Sequence, residues 1–407
     1  LLQQKDSIST TTSIELSPAT IRSAKTPLLS EKNKTSIGKA AIEKANNTQD
    51  IPYLLNQFSS VVVNSDAGTG TGYTGIRVRG TDLTRINVSM NGIPVNDPES
   101  QNTFFVNLPD ALSSANEVQL TKGVGSSKSG VTSFGASIAI QNLDVENTNP
   151  YVQCNTEYGS FNTGKVNVKA STGLLHKKFI TTVRLSQIKS DGYIQRSSSN
   201  LRGLQLSAQY RLTTNSKFTF NYLQGREKTG QAWYGVSQDS LKTNRQFNEL
   251  GYQGNGNYYT NQTDNYGQDY YQLFYDNTLN DAMQIGGSLF YTRGKGYYEE
   301  YKQAQAYKDY FLPDLLQGND TIRETDLIRQ LWLSNHYVGG RLHMNYFSSK
   351  INAGIYLQYL DYFGQHFGEV IWAKQIEKNN YRWYNLDARK TEKNIYGMAE
   401  FRLNSKF

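Results

Sequence analysis

The chain has 407 residues, with 42 Lys and Arg against 35 Asp and Glu, one cysteine, four histidines, and 29 Tyr and 17 Phe beside 8 Pro. A lone cysteine forms no intramolecular disulfide, the histidines show no CxxC or HExxH spacing, and the basic residues are interspersed with acidic ones, which argues against zinc, thiol and nucleic-acid chemistry. No stretch approaches the roughly 20 apolar residues of a membrane helix, but transmembrane strands alternate lipid-facing and lumen-facing residues, so the membrane question stays open.

Residues 1–35 are rich in Ser, Thr and Lys with little apolar periodicity and read as a flexible leader. Ile37, Ala40, Ala41, Ile42 and Ala45 then predict a short helix, Tyr53, Leu54 and Leu55 a second, and Val61, Val62 and Val63 a strand. Glycines at 68, 70 and 72 invite a phosphate-binding reading. The next segment, Ile76-Arg77-Val78-Arg79, alternates like a strand, whereas a phosphate cradle requires a helix N-terminus there. A mobile glycine loop is the expectation.

Residues 85–97 read RINVSMNGIPVND. Asn91-Gly92 between alternating runs is a strong hairpin signal, because both residues tolerate positive φ, and Gly80 is expected to supply turn geometry in the same way. Asp97 and Glu99 either hold a cation or cap a turn. Two more strands, near 117–120 and 136–140, complete a small α+β domain with a mixed sheet over residues 36–148.

Residues 149–407 obey a different grammar. Leu204, Leu206, Ala208, Tyr210 and Leu212 alternate with Gln205, Ser207, Gln209 and Arg211, so the strand has one oily and one wet face. About ten such strands are expected, near 151–159, 162–173, 176–188, 202–213, 216–226, 269–280, 282–293, 328–347, 350–363 and 391–404. Short turns alternate with long polar connections, as in outer-membrane barrels, which have short periplasmic turns and long external loops. Ten strands would enclose too narrow a bore for the preceding domain, so further strands are expected beyond those present.

Residues 75–97, GIRVRGTDLTRINVSMNGIPVND, together with EVQLTKG at 117–123 and SFGASIAI at 133–140, resemble the plug signature of TonB-dependent receptors. Asn91, Lys122 and Val124 depart from the residues common in that family. The resemblance implies an α+β plug followed by antiparallel membrane β-barrel strands, with about ten of 22 present, in the outer membrane of a Gram-negative bacterium. The plug and the short turns would face the periplasm. It also implies import powered by TonB, the inner-membrane energy-transducing protein, gripping a short leader segment. Ile14, Glu15 and Leu16 sit where that box is expected; a tail with no partner motif is the alternative.

In the family, plug arginines meet barrel carboxylates, which makes Arg77, Arg79 and Arg85 the expected plug–barrel contacts, with Gly80, Asn91, Gly92 and Asp97 forming the plug turns. Ligand contact is expected from Tyr73, by the layout of the family, and from Trp233, Tyr234, Tyr258, Tyr259, Tyr297, Tyr298 and Tyr301, whose rings stand among Lys and Arg and could stack on an anionic iron chelate. Aromatic girdles at the bilayer boundary would explain some of them without a ligand. A ferric siderophore is the expected cargo; cobalamin, an oligosaccharide or a mainly signalling role are alternatives. No Ser/His/Asp or paired-carboxylate constellation is present, and neither an enzymatic role, a cofactor nor a nucleic-acid partner is expected.

Overall fold

The computed structural model describes residues 33–124, 134–375 and 380–401. The first unit comprises β1 (Lys34–Gly38), α1 (Lys39–Ala45), α2 (Ile51–Leu55), β2 (Val61–Ser65), β3 (Thr74–Val78), β4 (Ile86–Met90), β5 (Ile93–Pro94), β6 (Glu117–Lys122) and β7 (Ala136–Gln141). Five of these strands form a mixed sheet in the order β1-β6-β7-β4-β5, in which only β4 and β7 run parallel, and β2 pairs with β3 as a separate hairpin. Ile42, Leu55, Ile76, Val78, Val88, Leu120, Ile138 and Ile140 pack as one buried core. Such burial is the main driving force for so small a sheet.

The strand β1 begins at Lys34, one residue before the expected end of the leader, and Ile37 belongs to it rather than to the helix. A polar strand with one buried apolar residue carries too weak an alternation to be read from sequence. Asn91 and Gly92 turn the β4–β5 hairpin with φ of 55° and 80°, and Gly80 adopts φ of 82°. The glycine loop leads into β3, not a helix, and is packed: Gly72 lies where a Cβ would approach Ser199 Oγ at 2.6 Å.

The second unit is a ten-stranded antiparallel meander. Its strands are β8 (Tyr151–Gly159), β9 (Thr163–Ser171), β10 (Phe179–Ser190), β11 (Ser199–Arg211) and β12 (Ser216–Gly230). After a connection bearing α3 (Ser240–Thr243), β13 (Tyr252–Gly254) and β14 (Asn257–Tyr258) come β15 (Thr263–Asn280) and β16 (Met283–Ala306). The small hairpin β17 (Leu315–Gln317) and β18 (Asp320–Ile322) precedes β19 (Glu324–Phe347), β20 (Ile351–Ala373) and β21 (Tyr381–Phe401). Neighbours in the sheet are neighbours in sequence, and among the described residues its edge strands β8 and β21 do not pair with each other.

Burial along this sheet is the inverse of a water-soluble protein's. Leu185, Leu289 and Leu342 are 53%, 64% and 63% exposed, while Lys165, Arg184, Gln205, Asn221 and Gln272 on the opposite face are at most 2% exposed. The polar rows wrap the first unit and the apolar rows face outward, which is the alternation of a membrane barrel. Among the described residues no helix is long and apolar enough to cross a membrane, and strands supply the crossing. The polar wall approaches the enclosed unit so closely that Gly225 leaves no room for a side chain against the Asn107 carbonyl.

All ten expected strands coincide with observed ones, but those after β12 reach further at the long-connection end. The crossing expected at 282–293 continues as β16 to Ala306, and that at 350–363 continues as β20 to Ala373.

Candidate functional site

Among the described residues, polar side chains join the enclosed unit to the wall chiefly at two places. The first is an ionic seam. Asp110, whose backbone sits at φ 55°, turns its fully buried carboxylate toward Lys165 Nζ at 3.4 Å and Arg184 Nη1 at 3.8 Å, and accepts a 2.5 Å hydrogen bond from Asn167 Nδ2. Asp144 meets Lys169 at 2.9 Å and Lys39 at 3.1 Å. Burial alone would raise the Asp144 carboxyl, but Lys169 and Lys39 outweigh it and hold the group below its usual range. Lys165 and Lys169 also donate to the Asn47 and Ser113 carbonyls. Polar side chains continue the seam: Asn91 donates to Gln272 and to Asn142, and Arg341 donates to the Gly92 carbonyl at 3.0 Å.

The polarity is opposite to the expected one, since the enclosed unit supplies carboxylates and the wall supplies cations. Arg77 and Arg79 are exposed, and Arg85 bonds Asp82 in its own turn at 2.9 Å. The structure joins none of the three to a wall carboxylate among the described residues. A signal for the observed arrangement was present in sequence: in Lys165-Val166-Asn167-Val168-Lys169 the valines take the outer face, which commits both lysines to the inside.

The second place is a cavity of about 600 Å³ above the enclosed unit, at the end carrying the long connections. Its floor includes Tyr73, Asp97, Pro98, Phe104 and Asn107, and its wall includes Glu227, Trp233, Tyr266, Tyr298, Glu300, Arg329 and Tyr362. Tyr73 is the keystone. Its ring meets Phe104 and Trp233 edge-on at 6.4 and 6.3 Å, and Trp233 meets Tyr298 at 5.6 Å. The Tyr73 hydroxyl donates to Asp264 Oδ2 at 2.6 Å and lies 3.4 Å from Glu227 Oε1. Burial, then the charges of Glu227 and Asp264, push this phenol well above its usual range, so it stays a proton donor. Asp50 accepts from Thr74 at 2.9 Å in the β3 segment just after Tyr73, and burial, only partly opposed by that bond, pushes its carboxyl up to about 7.

Of the aromatic residues singled out in sequence, Tyr73, Trp233, Tyr234, Tyr297 and Tyr298 border the cavity. Tyr258, Tyr259 and Tyr301 stand apart. Arg196 packs on the Tyr258 ring at 3.7 Å, Tyr259 donates to Glu299, and Tyr301 lies 6.4 Å from Tyr259, so these rings brace the long connection. Asp97 accepts from the backbone of Glu99 and Ser100, which is the turn-capping geometry. Glu99 reaches the wall, accepting from Tyr362 at 2.6 Å and meeting His366 Nε2 at 2.8 Å. Ile14, Glu15 and Leu16 lie outside the described residues.

A small domain seated in the polar bore of an antiparallel membrane sheet, under a cavity that its own apex helps to form, defines a plugged outer-membrane β-barrel. Residues 29–137 match the family of TonB-dependent receptor plug domains. Residues 29–137 thus belong to a TonB-dependent receptor plug domain, and the strands after it have the fold of part of a membrane β-barrel. Its fold is similar to that of the ferric citrate transporter FecA, with TM-score 0.61 and 14% identity, covering 91% of this chain and 60% of that one. It is likewise similar to BauA, the ferric preacinetobactin receptor of Acinetobacter baumannii, with TM-score 0.61 and 12% identity over 91% and 55%. The copper transporter OprC gives TM-score 0.65 and 10% identity over 91% and 52%. The chain thus spans between about half and three-fifths of the length of these structures. No curated protein sequence matches it.

Proposed function

We propose that this chain is the plug and part of the barrel of an importer that carries a scarce nutrient, a ferric siderophore, across the outer membrane under TonB power. The observation that carries the reading is the cavity, where Tyr73 of the plug and Trp233 and Tyr298 of the wall meet at one aromatic corner. A cargo resting there touches plug and wall together, so its arrival is felt by the element that must move. The proteins of similar fold, named for ferric citrate, ferric preacinetobactin and copper, support a metal-related cargo.

The charges refine the class. Asp97, Asp264 and Glu300 border the cavity against Lys302 and Arg329. Both cations are already on Glu300, Arg329 at 2.8 Å and Lys302 at 3.4 Å. This wall therefore favours a neutral or amine-bearing face of a chelate over the anionic chelate that the sequence led us to expect. Uptake of radiolabelled iron by cells carrying the full-length receptor, offered chelates of graded charge with and without TonB, tests the reading. TonB-dependent uptake that rises from anionic to neutral and amine-bearing chelates supports it. Uptake independent of TonB, or of no iron chelate at all, refutes it.

A further inference from the structure

The outward face of β10, β11 and β12 carries a compact basic cluster just above the apolar rows. Cross-strand register places Gln187, Arg202 and Arg226 side by side in one row, and Lys189, Asn200 and Lys228 in the next row toward the long connections. Alternation puts all six on the outer face: Lys189, Arg202 and Lys228 are exposed, whereas Ser190, Leu201, Glu227 and Thr229 between them are buried. Directly below lie Leu185 opposite Leu204, and below these Val183, Leu206, Tyr222 and Tyr271 in one continuous row. Neighbouring strands are about 4.8 Å apart and alternate residues about 7 Å, so four cations occupy a patch of roughly 10 by 7 Å.

Such crowding is unfavourable by itself. Arg202 stands directly opposite Arg226, and like charges in that position repel. Asp269, one row lower, is the ion-pair partner of Arg226 at 2.7 Å, and among the described residues Lys189, Arg202 and Lys228 have no carboxylate within ion-pair distance. The Lys228 ammonium donates to the neutral Asn261 side chain at 2.9 Å. Placed where an oily wall meets the polar headgroup zone, the cluster is complementary to a group with a phosphate head and acyl chains, the first on the guanidinium and ammonium groups and the second along Leu185, Leu204 and Leu206.

We propose that this face docks the phosphorylated headgroup of an anionic lipid from the leaflet on the long-connection side. The site is separate from the cargo cavity, on the opposite face of the wall. Removing one cation from such a contact weakens it about fivefold, hence on the order of a hundredfold for three.

The test is native mass spectrometry of the full-length receptor released from mixed micelles containing a phosphorylated glycolipid or its dephosphorylated counterpart. The expected result is retention of the phosphorylated lipid in preference to the other, a preference lost in Lys189→Gln/Arg202→Gln/Lys228→Gln and kept in Arg202→Lys. Folding of each variant is checked by heat-modifiable migration in gels. Equal retention of both lipids, an undiminished preference in the folded triple variant, or loss of preference in folded Arg202→Lys overturns the proposal. So does full displacement by inorganic phosphate at the concentration of the lipid, which would identify a free-anion site.

Discussion

The substitution Asp110→Asn probes the ionic seam directly. The Asp110 side chain is 0% exposed, and Lys165 and Arg184 beside it are each 1% exposed. Loss of the carboxylate charge leaves Lys165 with Glu157 at 2.9 Å and with the Asn47 carbonyl, but strips Arg184 of its nearest counter-charge. Removing one partner of a buried ion pair costs about 3–5 kcal/mol, chiefly because the other charge stays buried. With a urea slope of about 2 kcal/mol/M for a domain of the plug's size, the plug's unfolding midpoint should fall by roughly 1.5–2.5 M. Hydrogen exchange of the segment around Asp110 in the micelle-bound full-length receptor, monitored through a urea series, reads the plug while the barrel stays folded. Arg184→Met should cost less than Asp110→Asn, and the double variant should recover most of the difference. If the two single effects add to within about 0.5 kcal/mol, carboxylate and guanidinium are not coupled and the seam has been misread.

The Tyr73→Phe change removes the donor bridging Asp264 and Glu227; the seated plug should lose roughly 1.5 kcal/mol, the worth of a charge-assisted bond, read as a fall of roughly 0.75 M in its urea midpoint. Asp50 supplies a pH signature: its carboxyl is raised in the fold from 3.8 to about 7, so the folded state holds the proton more tightly and this group lowers plug stability as pH climbs through that window. Asp50→Asn, which still accepts from Thr74, should flatten that part of the midpoint-versus-pH curve; an unchanged slope would remove Asp50 as its source. Gly225→Ala sets a methyl group against the Asn107 carbonyl and should leave the plug poorly seated, seen as faster proteolysis at plug sites in a barrel that still inserts.

The barrel was legible because lipid enforces strict alternation, and each expected crossing lies on an observed strand. Legibility faded where that force ends. Beyond Arg293 in β16 the residues facing away from the lumen no longer need to be apolar, so the strand continues to Ala306 with no periodic mark. In the plug, β4 was visible as an alternating run before Asn91-Gly92 and β7 as a strand near 136–140, whereas β1 was not. The cavity was partly visible. Trp233 and Tyr298 could be named as aromatic residues near a cluster, but their meeting with Tyr73 depends on a fold that brings positions some 160 and 225 residues apart to one corner. The seam was misjudged because an exposed arginine and a bridging one look alike in sequence. The fate of Arg85 was settled by Asp82, three residues away.

The sign of the wall has a consequence for permeation. Lys169 and Arg184 are balanced only while Asp144 and Asp110 lie beside them, whereas Lys165 also keeps Glu157 of the wall at 2.9 Å. A channel opened by withdrawing those two carboxylates would expose a patch of fixed positive charge on β9 and β10 to the water that replaces them. Its conductance would favour anions, and current recorded across a planar bilayer during displacement would carry that selectivity as its mark.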